Sequence, residues 1–181
     1  MTALWIDPVF GASGDMLLGA LVGLGADIDV VRERLAALPV GGWSIEATTT
    51  TRCGLSATRV AVCADEQDHH RRWSDIDAML DGAAGLSEHV RTGARATFLR
   101  LGEIEAAAHD VPLDDVHFHE VGAVDAIVDI VGVWIALDLL GVDTVSCGPV
   151  GLGHGAVRGA HGVLPLPAPA TASLLAGAPV R

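Results

Sequence analysis

The stretch from His117 to Leu140 constrains this chain more than any other. It opens His-Phe-His-Glu-Val-Gly-Ala-Val-Asp-Ala-Ile-Val-Asp. It then enters the longest apolar run of the sequence, Ala126 to Leu140, interrupted by Asp129, Gly132 and Asp138. That run is too short and too polar for a membrane span, and it predicts a helix from about Gly122 to Leu140 with Gly141 as its stop. Asp125 and Asp129 lie four apart, so they share one face of the helix. Carboxylates beside Val121, Val124, Ile127, Val128 and Val131 are unfavourable unless a cation or donors satisfy them. His117 and His119 alternate onto one side of an extended segment, and Glu120 follows at once. Imidazole with carboxylate suits a divalent transition ion such as Ni, Zn, Fe or Mn. The competing reading is a capped, solvated helix start beside a core face.

With 181 residues, half of them hydrophobic, the chain predicts a single domain spanning 1–181 with a sizeable core. Aromatics are scarce and Tyr is absent, so Val, Leu and Ala must build that core. The net charge is -12, Lys is absent and all eleven basic residues are Arg. This balance argues against nucleic-acid binding, which needs a basic footprint. It fits a soluble cytoplasmic protein that handles cations, with no signal peptide and no membrane partner. Its arginines remain able to clamp a phosphate bidentately. Cys53, Cys63 and Cys147 show no CxxC spacing, which predicts reduced, buried thiols.

Ala3–Ile6 reads as a buried strand ending at Asp7-Pro8. Helices follow to about Leu24 and from Ile28 to Leu38. Trp43–Arg52 and Ser56–Ala64 read as a hairpin about Cys53-Gly54. After a polar loop, Ser74 is expected to cap a short helix, and Ser87 a long one running to about Ala108. Val142–Cys147 reads as a second buried strand, residues 148–162 as a glycine-rich loop, and Ala170–Ala176 as a closing helix. The order predicts an α/β fold (an α+β sandwich), with a mixed sheet of about four strands packed with helices. The two central strands end at Asp7 and near Pro149, and loops after such strands commonly hold the site.

Three further segments carry candidate chemistry. Asp7-Pro-Val-Phe-Gly-Ala-Ser-Gly-Asp15 joins a strand to a helix, and Gly11 and Gly14 allow close backbone approach. The amides at that helix start could dock an anion, or Asp7 or Asp15 a metal; a tight turn is the plainer reading. No Gly-Lys-Ser/Thr follows, so it is not a Walker A loop. His69-His70-Arg71-Arg72 is a solvated pair of dipeptides unless the fold brings it to Asp125. His161 sits between Ala160 and Gly162, where the backbone can approach a ligand.

Taken together, four segments resemble the LarC family of nickel insertion proteins for the nickel-pincer nucleotide cofactor. They are Asp7–Met16; His70-Arg71 with Ser74-Asp75-Ile76; His117–Asp129; and Ala160-His161-Gly162 with Leu164–Thr171. The resemblance implies insertion of Ni2+ into pyridinium-3,5-bisthiocarboxylic acid mononucleotide by a CTP-dependent nickel chelatase, or cyclometallase, of the lyase class. CTP would act with Mn2+ or Mg2+. Imidazole and carboxylate suit that task because they yield nickel to sulfur ligands more readily than thiolates do. Ligand density assigns the metal to His117, His119, Glu120 and Asp125, with help from His70 or His161. His119, Glu120 and Asp125 are the catalytic candidates, and which group takes the ring proton is open. Ser13, Gly14, Asp15, Arg71, Arg72 and His161 are the candidates for the mononucleotide.

Family members are usually much longer. The family's C-terminal part, which carries CTP binding and oligomerisation, has no counterpart in these residues. The chain is thus expected to be an N-terminal piece, or half of a split protein whose partner is a separate C-terminal LarC part. Self-association is left open. Two rival functions are a metal-dependent phosphate-ester hydrolase and a non-catalytic nickel carrier.

Overall fold

A computed structural model describes residues 1–65, 71–118, 121–159 and 162–181. Its axis is helix α5 (Val124–Leu139), which buries Val124, Ile127, Val128, Val131 and Ile135. A helix that is apolar on most of its circumference has to be surrounded. Helices α1 (Gly14–Gly23), α2 (Ile28–Leu35) and α4 (Glu88–His109) pack against it. Glycines set two of these approaches. A Cβ on Gly132 would lie 3.1 Å from Leu18, and one on Gly93 would lie 2.4 Å from the Trp134 indole.

Polar side chains tie the helices at the rim of this core. Trp134 Nε1 donates to Thr97 Oγ1 at 3.0 Å, and that hydroxyl donates to the Gly93 carbonyl at 3.0 Å. Thr97→Val strands the indole N–H, so a loss of about 1 kcal/mol is expected in urea unfolding. An unchanged midpoint would show that water replaces the hydroxyl. Asp138 on α5 accepts from Arg34 of α2 at 2.7 Å and from Ser87 Oγ at 3.2 Å. Ser87 also caps α4, accepting from the Val90 amide at 3.3 Å.

Four two-stranded sheets form among the described residues. β1 (Thr2–Ile6) pairs in parallel with β6 (Val142–Cys147), Leu4 opposite Val145 and Ile6 opposite Cys147. β2 (Trp43–Arg52) and β3 (Leu55–Ala64) form an antiparallel hairpin. Its two turn residues, Cys53 and Gly54, both have positive φ (50° and 80°), the turn whose twist matches the strands. β4 (Arg71–Arg72) pairs with β5 (His117–Phe118), and α3 (Trp73–Asp81) follows β4. β7 (Gly155–Gly159) pairs with β8 (Gly162–Leu166), and α6 (Pro169–Leu174) comes last.

The α/β class expected from the sequence is thus present, but not as one mixed sheet of about four strands. The strands pair locally as hairpins or in short ladders, and helices rather than further strands cover the hairpin. β1 and β6 pair with each other but are not central: Trp5 is 63% exposed, Val145 is 50% exposed, and only Val142 of β6 is buried. The glycine-rich stretch after Cys147 is not a plain loop, since it contains β7. α3 starts one residue before Ser74, and its cap is Arg72, whose amide donates to the Asp75 carboxylate at 2.9 Å. The three cysteines are free, but exposed rather than buried. No helix among the described residues is long and apolar enough to cross a membrane.

Candidate functional site

The starts of α1 and α5 come together, and each presents an aspartate in its first turn: Asp15 and Asp125. Asp129 lies one turn further along α5. The contact is close because residue 14 has no side chain: a Cβ there would stand 2.5 Å from Asp129 Cβ and 2.7 Å from its Oδ2. Small residues at such a crossing let two helix backbones approach each other.

Three carboxylates therefore share one corner with unequal surroundings. Asp125 is exposed and accepts from the Ala126 amide at 2.9 Å. Asp15 is half-buried; its Oδ1 accepts from the Met16 amide at 2.9 Å and from Ser13 Oγ. Asp129 is also half-buried, and its Oδ1 is shut off from solvent without a hydrogen-bond partner. Burial pushes its carboxyl up to about 6, the nearby charges of Asp15 and Asp125 push the same way, and a hydrogen bond from the Asp15 backbone opposes them. An acid held in this way is one that a cation or a proton would relieve.

This arrangement bears on the expected anion site. The Asp15 and Met16 amides, which a phosphate would need, already serve the carboxylates of Asp129 and Asp15. Asp7, the other acid of that loop, stands apart, with Arg181 Nη2 at 3.4 Å.

The β4–β5 ladder lies against the approach to α5. Arg71 pairs with Phe118 and Arg72 with His117. Phe118 is buried, with its ring 6.4 Å from that of Phe98, which anchors the ladder to the core. His117 points the other way and is exposed. Arg71 Nη1 donates to the Gly122 carbonyl at 2.8 Å, which fastens the ladder to the approach of α5. Gly122 has no room for a side chain: a Cβ would lie 2.9 Å from both the Phe118 carbonyl and its Cβ.

Of the residues selected from the sequence, Ser13, Gly14, Asp15 and Asp125 gather at the helix starts, and Arg71 and His117 lie on the adjoining ladder. His70, His119, Glu120 and His161 lie outside the described residues. Among the described residues no group of three His, Cys, Asp or Glu is placed to hold a metal ion by itself. The sequence reading put its weight on Asp125 and passed over Asp129, whose Oδ1 is the oxygen shut off from solvent. The four-residue spacing showed both; which of them faces α1 depends on Gly14, more than a hundred residues away in the chain.

Comparison with known proteins finds relatives along the whole chain. The family described as nickel insertion protein matches residues 4–181. A nickel insertion protein named in Thermomicrobium roseum is 50% identical over 183 residues, covering 99% of this chain and 45% of the relative. One in Syntrophotalea carbinolica is 48% identical, with 99% and 45% covered. One in Dictyoglomus thermophilum is 42% identical, with 99% and 46% covered. The chain thus spans about half the length of these curated relatives. No solved structure matches it. With a family match that runs almost end to end and relatives at this level of identity, the chain belongs to the nickel insertion protein family.

Proposed function

We propose that this chain is the nickel- and substrate-binding part of a nickel insertion protein acting in the cytoplasm. The observation that carries the reading is Asp129: a buried, unpartnered carboxylate oxygen flanked by two further acids where two helices start. The structural alternative, a capped and solvated helix start, accounts for Asp125 but leaves Asp129 Oδ1 unexplained. The sequence supplies further imidazole and carboxylate donors at His70, His117, His119 and Glu120. The proposed nickel set is therefore His70, His117, His119, Glu120 and Asp125, with Asp129 added.

The acceptor in this reading is pyridinium-3,5-bisthiocarboxylic acid mononucleotide. Oxygen and nitrogen donors hold nickel loosely enough to pass it to soft sulfur. Forming the carbon–nickel bond releases a ring proton, which a carboxylate or imidazole not holding nickel at that moment accepts. His119, Glu120 and Asp125 remain candidates for the same step. CTP with Mn2+ or Mg2+, and the lyase activity it drives, belong in this reading to the half of the relatives that this chain does not span.

Titration calorimetry with nickel tests the reading. Binding in the micromolar range is expected, and His117→Ala and His119→Ala should each weaken it roughly tenfold or more, the scale of losing a shell partner. Binding unchanged in both variants would remove the imidazoles from the set.

A further inference from the structure

We infer that the ribbon of β1 and β6 is a docking surface for the half of the nickel insertion proteins that this chain does not span. An apolar cavity of about 270 Å³ lies open between the ribbon and helices α1 and α5.

Alternation and register define its walls. Along β1, Leu4 and Ile6 point to one side and Trp5 to the other. Residues opposite each other in the parallel pair point the same way, so Val145 joins Leu4 and Cys147 joins Ile6. Leu4 packs on the core, which makes this the side that faces the helices. Leu17 and Leu21 of α1, Leu24 at its end, and Val133 and Leu137 of α5 form the opposite wall. Cover is poorest along β6. Only Val142 of that strand is buried, and Val145 stands exposed at the rim of the cavity. Leu24, on the helix wall, is exposed as well. Soluble monomers seldom leave an apolar surface of this kind open unless something binds it.

The chemistry of the walls narrows the occupant. Asp7 is the one charged residue lining the cavity, and Arg181 Nη2 already stands 3.4 Å from its carboxylate. Nothing else there would hold an ionic ligand. The volume also falls below the roughly 300–1,000 Å³ of small-molecule pockets. It suits a few apolar side chains presented by a polypeptide.

Two observations say which polypeptide. This chain covers 45–46% of three curated relatives, so more than half of each has no counterpart here. Residues 179–181, moreover, lie in parallel along the segment that continues β6. The Val150 and Leu152 amides donate to the Pro179 and Arg181 carbonyls at 3.0 and 2.9 Å, and the Arg181 amide donates to the Val150 carbonyl at 3.0 Å. Asp7, which Arg181 reaches, directly follows β1. A polypeptide joined at Arg181 therefore emerges beside the ribbon.

The test joins the unmatched part of the Thermomicrobium roseum relative to Arg181 and compares this fused chain with the chain alone. The readout is the rate at which iodoacetamide labels Cys147, followed by peptide mass spectrometry. Cys53, at the far turn of the hairpin, is the internal reference. Both thiols are free and exposed in the chain alone. Fusion should slow Cys147 at least tenfold and leave Cys53 unchanged. Leu24→Gln combined with Val145→Gln should restore most of the Cys147 rate, whereas Leu55→Gln, at an exposed leucine beside the hairpin turn, should not. Equal Cys147 rates in the fused and unfused chains, or protection that survives the double variant, would overturn the docking surface. Cys147 protection that appears in the chain alone as its concentration rises would assign the ribbon to a second copy and overturn it too. No nickel is added, so each of these results is separable from the nickel titration, which alone decides the metal reading.

Discussion

Gly14→Ala will destabilise the chain by about 2–3 kcal/mol, although alanine is the better helix former. The added methyl would meet Asp129 Cβ at 2.5 Å. That atom is fixed by the backbone of α5 and cannot swing aside as the tip of a long side chain would. The starts of α1 and α5 must therefore separate, and the hydrogen bond from the Asp15 backbone to the Asp129 carboxylate goes with the contact. Urea unfolding should show a lower midpoint at an unchanged slope. Nickel binding should weaken in parallel, because the acids no longer share a corner. A midpoint equal to or above that of the unaltered chain would mean that the helices do not meet here.

Asp129→Asn will have the opposite sign. The native carboxyl sits at about 6, above the 3.8 of an unperturbed aspartate, so the folded chain holds its proton longer than the unfolded one. The stability associated with the neutral form is complete below about pH 4 and is lost as the pH rises through 6. The full difference is about 3 kcal/mol, and the half-exposed setting reduces it to about 1–2 kcal/mol. In metal-free buffer at pH 7 the asparagine variant should be more stable by that amount, and its stability should be flatter between pH 4 and 6. Saturating nickel should then favour the aspartate form, because the ion binds the charged state. A variant less stable at pH 7 than the unaltered chain would show that the carboxylate is already satisfied.

These two experiments concern a corner only partly legible in the sequence. The helix after Gly122, the cap at Ser87 and the hairpin about Cys53-Gly54 were legible because local signals dominate there: apolar spacing, a capping hydroxyl and a turn that needs positive φ. The loop Ser13–Asp15 and Asp125 were legible as candidates because acids and glycines gather where chemistry is done. Asp129's burial was not, since it comes from a glycine on another helix. Nor was the pairing of strands into separate short sheets, which depends on which faces the helices cover.

The parallel pair β1–β6 has a consequence for the molecule in bulk solution. Parallel strands are usually covered on both faces, yet this ribbon leaves Trp5 and Val145 in water and has no further strand on either side among the described residues. An open ribbon of this kind templates pairing between copies. The opposing influence is colloidal: a net charge of -12 keeps copies apart at neutral pH. Salt shortens the reach of that repulsion, and acid near the sequence isoelectric point of 4.8 abolishes it. Dispersal of this chain in water is thus governed by ionic strength and pH, through the excess of acids over arginines.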